Sequence, residues 1–154
     1  MKFEHELTIA APREYVLSLF ADPDNLAKWQ PGFVGYTQIT GEPRALGAMS
    51  KHIHLMDGRT TETLETILES GPEHWSALYD SDGMWNLIDN EFAAMDDATC
   101  WTMRADCRGS SVVQQLMVRF FKRSIMSHSY ANMTAFKDYV EREHKDAALL
   151  HADG

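Results

Sequence analysis

The sequence predicts an α+β fold. One curved antiparallel sheet of about seven strands lies against a long C-terminal helix, and two short helices follow the first strand. Three observations carry this expectation. Turn signals recur at short intervals from Phe33 to about Cys107, with apolar and polar residues alternating between them. The run from Val112 to about His144 then holds neither proline nor glycine and repeats its apolar residues at three- and four-residue steps. Prolines 12 and 23 each stand where a helix can begin.

Taken in order, Phe3, His5, Leu7 and Ile9 share one face of a first strand. Pro12 opens a short helix that buries Tyr15, Val16, Leu19 and Phe20. Asp22 can cap a second one, with Pro23 in its first turn, Leu26 and Trp29 facing inward, and Pro31-Gly32 ending it. Six strands are expected near 33–41, 46–56, 59–70, 74–80, 84–94 and 98–107. After Arg108-Gly109, Ser110 or Ser111 can cap the long helix, which at ~1.5 Å per residue is long enough to cross the sheet. Residues 1–146 are expected to form a single domain and 147–154 a frayed tail. A sheet of this kind must bury its apolar face, and the terminal helix is the element large enough to cover it. Incomplete closure between the two layers leaves a cavity, where pockets form.

The bulk numbers exclude several classes. A chain of 154 residues, 44% hydrophobic and 24% charged, suits one globular domain with a real core. A net charge of -9 argues against nucleic acid or an anionic membrane as the main partner. The opening MKFEHELTIAAP lacks the apolar run of a secretory signal, and no stretch approaches the ~20 apolar residues of a membrane span. A cytoplasmic protein is expected. Cys100 and Cys107, seven residues apart on one strand, are about 23 Å apart and out of disulfide reach. Neither sits in a Cys-x-x-Cys pair, and no cofactor motif, phosphate loop or nucleophile elbow is present.

The residues that match a known family are Ile9-Ala10-Ala11-Pro12, Val16, Ala21-Asp22-Pro23, Asn25, Trp29 and Pro31-Gly32. Gly47 before a strand, Glu65 and Ile67 before Gly71-Pro72, Trp101, and the closing FKDYVERE of Phe136–Glu143 also fit. Together they resemble the SRPBCC (START-like) superfamily, in particular its polyketide cyclase/dehydrase branch. The resemblance covers nearly the whole chain and implies the helix-grip fold. It further implies a deep, largely apolar cavity for lipids, polyketides or other hydrophobic molecules. Some members are aromatases or cyclases and many are carriers. These motifs are structural punctuation and name no chemistry.

The stretch KHIHLMDGRTTETLE places His52 and His54 on one face, roughly 6.5 Å apart. With Asp57-Gly58 as a two-residue turn, His54 pairs with Thr61 and His52 with Thr63. One face then carries Ser50, both histidines, Thr61, Thr63 and Glu65, while the other carries Met49, Lys51, Ile53, Leu55, Glu62, Leu64 and Leu68. The second set is the more apolar, so it is expected to face inward, with Ile53 touching a ligand and the histidines in solvent. Ile67 falls on the polar face, which points to a bulge further along. A metal needs a third ligand, and His74 and His128 are the candidates by type, but nothing places them beside the pair. No metal is expected.

The cavity wall is argued from later strands. In GMWNLIDNEF the less charged set includes Met84, Asn86 and Ile88, and in ATCWTMRADC it includes Trp101 and Met103. Asn86 can orient a ligand by hydrogen bonding. From the helix come Met117, Phe121 and Ile125, with His128 on the same stripe. His128 and Glu62 are the candidate proton-moving groups, Glu62 with Lys51 as a diagonal ion pair on the inner face. Arg119, Lys122 and Arg123 read as a solvated basic patch. Three functions follow: binding of a small hydrophobic or aromatic molecule, a cyclase/aromatase-like enzyme using the same pocket, or a protein-interaction module without a ligand. A homodimer is left open.

Overall fold

A computed structural model of the chain describes residues 1–153. Strand β1 (Lys2–Ile9) is followed by helix α1 (Arg13–Ala21), a single 3-10 turn (Pro23–Asn25) and helix α2 (Leu26–Trp29). Six strands come next: β2 (Phe33–Thr40), β3 (Met49–Met56), β4 (Arg59–Ser70), β5 (His74–Ser81), β6 (Met84–Met95) and β7 (Ala98–Gly109). Helices α3 (Val112–Phe120) and α4 (Lys122–Ala152) complete the order. Every strand pairs antiparallel, and the sheet runs β1-β7-β6-β5-β4-β3-β2, so the first strand closes beside the last. The expected α+β helix-grip architecture is present, with the seven-stranded sheet, the two short helices and the long C-terminal helix all in place.

The turns fix the register. Asp57 (φ 51°) and Gly58 (φ 73°) both adopt left-handed backbone, as a two-residue hairpin loop of the favoured type requires. Met56 therefore pairs with Arg59, His54 with Thr61, and His52 with Thr63. Asp82-Gly83 repeats the device between β5 and β6. At the 3-10 turn that leads into α2, Asp22 Oδ1 accepts from the Asp24 amide, while Ser111 and Gln114 form a reciprocal capping box at the start of α3.

The core forms where the inward faces of β1, β6 and β7 meet α1 and α4. Ile9, Val16, Phe92, Trp101, Met133, Phe136 and Val140 are buried there. Phe20 of α1 is its hub, with ring centroids 5.1–5.9 Å from those of Trp75, Phe92, Trp101 and Phe136. These edge-on contacts join α1 to the sheet and to α4.

The helical third departs from expectation. The single helix from Val112 to about His144 is two helices, because Phe121 leaves helical geometry (φ -92°, ψ 15°). The second one continues to Ala152. On either side of the break α3 leaves Val112, Val113, Leu116, Met117 and Phe120 exposed, while α4 buries Met133, Phe136, Tyr139 and Val140. No helix among the described residues is long and apolar enough to cross a membrane.

Candidate functional site

Between the curved sheet and α4 lies a cavity of about 200 Å³. Phe20, Leu26 and Trp29 close one side of it, and Ser129, Asn132 and Met133 of α4 lie over it. The sheet contributes an apolar wall from Ile88, Trp101 and Met103, and a polar wall from His52, His54, Thr63 and Tyr79.

The polar wall reverses the expected orientation of the β3–β4 hairpin. The two-residue turn is as expected, but the face is not. His52 is 3% exposed and Glu65 2%, and both point inward with Ser50 and Ile67. Ile53, expected to touch a ligand, lies on the outer face, its side chain over Gly35 of β2. Glu62 and Lys51 also lie outside, 3.6 Å apart and open to water, so Glu62 is not a proton-moving group of this cavity. The bulge expected further along is present between Ile67 and Glu69, but Ile67 itself needs none to explain it. It shares the inward face with Glu65, and the irregularity between β4 and β5 comes after it. Inner residues here need not be apolar, because they line a cavity and satisfy one another's hydrogen bonds.

Glu65 is the centre of that mutual satisfaction. Ser50 Oγ donates to Glu65 Oε1 at 3.1 Å and lies 3.0 Å from His52 Nε2. A serine hydroxyl has one hydrogen, so with it given to Glu65 the serine accepts from His52. This places a hydrogen on Nε2 of His52, 3.5 Å from the carboxylate. Tyr79 donates to Glu65 Oε2 at 2.7 Å, and Arg44 Nη1 lies 3.4 Å from the same oxygen. Burial alone would push the Glu65 carboxyl upward. The His52 N–H beside it, the Arg44 charge and the Tyr79 hydroxyl outweigh it and hold the group at about 2. Burial, and then the Glu65 charge, push Tyr79 well above the ordinary phenol range.

Arg44 comes from the β2–β3 connection and holds left-handed backbone (φ 66°), uncommon for a residue other than glycine. Its guanidinium lies 4.7 Å from the Trp75 ring centroid and 5.3 Å from that of Phe20, and donates to the Phe20 carbonyl at 3.3 Å. The cation is thus held, mostly out of water, between two aromatic faces and one carboxylate. His54, beside His52, has its imidazole pulled below the usual value by burial and by the charges of His52 and His128. His128 itself is on the exposed side of α4 and does not line the cavity.

Of the residues expected to contact a ligand, the structure brings Asn86, Ile88, Trp101 and Met103 to the cavity. Asn86 Oδ1 accepts from the Cys107 thiol at 3.0 Å, a donor kept protonated because burial raises it to about 11. Met84 shares that strand face but sits at its end, outside the cavity. Met117 on α3 and Phe121 at its end are exposed and do not line the cavity, and Ile125, in the first turn of α4, does not line it either. His74 is held between Glu69 and Asp89 on the outside of the sheet. Among the described residues no three His, Cys, Asp or Glu side chains are arranged to hold a metal ion.

Arg44, Glu65 and Tyr79 build the site although no sequence motif marks them as site residues, and the two histidines, expected in solvent, line its polar wall. One signal was available. Ser50, His52, Thr63 and Glu65 form an unbroken polar block across paired strands, and Ile67 continues it on the same face. Three buried polar atoms have no protein partner: Gln30 Oε1, Trp75 Nε1 and Asn132 Oδ1. All three residues line the cavity.

Solved structures share this architecture. A START superfamily protein from Mycobacterium smegmatis superposes with a TM-score of 0.73 at 14% identity, covering 92% of this chain and 97% of that one. An aromatase/cyclase from Streptomyces sp. R1128 gives 0.76 at 14% identity, covering 92% and 94%. Norcoclaurine synthase from Thalictrum flavum, in complex with dopamine and hydroxybenzaldehyde, gives 0.68 at 15% identity, covering 91% and 86%. Among curated protein sequences, none matches. The family model for polyketide cyclase / dehydrase and lipid transport matches residues 1–141. The chain belongs to that family.

Proposed function

We propose that the cavity binds an uncharged, one- or two-ring aromatic molecule bearing hydroxyl or carbonyl groups. The observation that carries this reading is the coincidence of an apolar wall with three unpartnered polar atoms on cavity-lining residues. A buried donor or acceptor left without a partner costs roughly 1–3 kcal/mol, so each favours a ligand or water that supplies one. Trp75 Nε1 asks for an acceptor, and Gln30 Oε1 and Asn132 Oδ1 ask for donors. A phenol offers both.

Size and charge narrow the class. A dry cavity of ~150 Å³ takes up benzene, so about 200 Å³ suits one or two rings better than a long acyl chain. The Arg44 cation is already matched by Glu65, which leaves little net attraction for a charged ligand. Binding would draw on the apolar surface of Trp101, Met103, Ile88 and Phe20, at about 25 cal/mol per Å² removed from water.

A second reading, catalysis in the manner of a cyclase, is favoured by one observation. His54 stands on the cavity wall with its imidazole held toward the neutral, proton-accepting form. In that reading His54 takes a proton from a bound phenol or ketone, and Glu65, fixed by its own partners, stays ionised.

Titration with 2-naphthol, followed by quenching of Trp29, Trp75 and Trp101, tests the binding reading. Saturable one-to-one quenching, lost in Thr63→Trp where the new ring fills the cavity, is the expected result. Stoichiometric binding of palmitate with no response to naphthol would overturn it. Native mass spectrometry of protein taken from its own host then separates carrier from enzyme, since a carrier holds its compound unaltered.

A further inference from the structure

Helix α3 is packed with its apolar side outward. Val112, Val113, Leu116, Met117, Phe120 and Phe121 fall at four-residue steps and cover one continuous half of the helix. All six are exposed, Phe120 by 85%, Val112 by 76% and Val113 by 67%. The opposite side meets the protein through Val118, which is buried, and through Gln114, which bonds to the Asp82 carbonyl. Scattered exposed apolar residues are ordinary, but five on one face of a nine-residue helix, with Phe121 at its cap as a sixth, are a built surface.

The charge beside this surface has one sign. Arg119, Lys122 and Arg123 flank Phe120 and Phe121, and among the described residues none of the three is in an ion pair. From Cys107 to Lys137 the chain has no aspartate or glutamate, although it has 23 elsewhere. A net charge of -9 therefore conceals an acid-free segment carrying Arg108, Arg119, Lys122, Arg123 and Lys137. The whole-chain charge argues against an anionic membrane as partner, but fields are screened within about 8 Å at physiological salt, so the local segment decides.

We infer that α3 docks the protein onto an anionic lipid bilayer. Its apolar face enters the headgroup–acyl boundary while Arg119, Lys122 and Arg123 contact lipid phosphates. Apolar residues beside unpaired cations are the composition of an interfacial helix. A second copy of the chain fits less well. A two-fold contact through the same patch sets each cluster of three cations close to its own image. The inference stands apart from what the cavity binds, since no α3 residue lines it.

The test is sedimentation of the full chain with vesicles of phosphatidylcholine alone and of phosphatidylcholine containing about 30% phosphatidylserine. Binding to the anionic vesicles and not to the neutral ones is expected, with release at about 0.5 M salt. Phe120→Asp and the triple charge reversal Arg119→Glu/Lys122→Glu/Arg123→Glu should each weaken it at least about tenfold. Phe120 is almost fully exposed, so its variant should keep the wild-type melting temperature, and circular dichroism checks this for both. Binding to neither vesicle overturns the inference, as does equal binding to both. So does a wild-type dimer that Phe120→Asp converts to monomer without any vesicle binding. Retention on immobilised polyglutamate with no vesicle binding points instead to an acidic protein partner and overturns it as well.

Discussion

Tyr79 gives its phenolic hydrogen to Glu65 across 2.7 Å, joining β5 to β4 directly beneath the cavity. The acceptor is ionised and buried, so this bond belongs to the stronger class. Tyr79→Phe removes the donor and leaves one carboxylate oxygen to Arg44 alone. It should cost about 2 kcal/mol in urea unfolding. A loss under about 0.5 kcal/mol would show that water replaces the hydroxyl without penalty.

Acid should reveal the same network. Glu65 titrates at about 2 in the folded protein against an ordinary 4.5. A depressed carboxylate contributes stability that is complete above its unfolded value and lost as pH falls through its folded value. Thermal unfolding should therefore show a loss of stability between about pH 5 and pH 2, on the order of 3 kcal/mol from this group. Glu65→Gln should flatten that part of the profile. An unchanged slope in the variant would assign acid sensitivity to other carboxylates.

The residues that set the fold were legible because each acts locally. Asp57-Gly58 determines a turn from two positions, and the register of eight pairs follows from it. What the turn cannot determine is which side of the hairpin the rest of the chain covers. Two choices are open, and they differ by the orientation of a rigid unit and not by any local preference. The usual guide, that the more apolar face goes in, fails where the inner face lines a cavity. There Ser50, His52 and Glu65 are buried and Tyr79 partly so because they bond to one another, and Ile53 is left half-buried outside. Arg44 was invisible for a different reason. Its partners Phe20, Glu65 and Trp75 lie 24, 21 and 31 positions away, and no spacing rule links them. On β6 and β7, where the inner face is true core or apolar wall, the usual guide found Asn86, Ile88, Trp101 and Met103.

Orientation of the hairpin makes a direct prediction. Ile53→Ala should leave 2-naphthol affinity within about twofold, because the side chain is on the far side of the sheet. His52→Leu should weaken it by at least about tenfold, since Ser50 and Glu65 lose a partner on the cavity wall. The reverse pattern in the quenching titration would restore the orientation read from apolarity.

His54 adds a pH dependence of opposite origin to that of an ion pair. Burial, His52 and His128 all lower its pKa below 6.5, so the folded protein prefers the neutral imidazole. Stability and affinity owed to that neutral form are complete above pH 6.5 and fall as pH drops through the lower folded value. Proton NMR of the ring should show His54 titrating below 6.5, and His128→Ala should move it upward. No movement would mean that His128 lies too far from His54 to act on it.

Phe20 tests whether cavity and core are one energetic unit. Its ring touches four aromatic residues and supports the Arg44 guanidinium, 5.3 Å away, while one side faces the cavity. Phe20→Ala should cost roughly 3–5 kcal/mol, since the packed aromatics around it cannot collapse into the space. The vacated volume adjoins the cavity, so the variant should bind a three-ring anthrol that the wild type excludes. If urea unfolding shows the full loss and the anthrol still fails to bind, the space has closed, and the aromatic cluster is softer than its edge-on geometry implies.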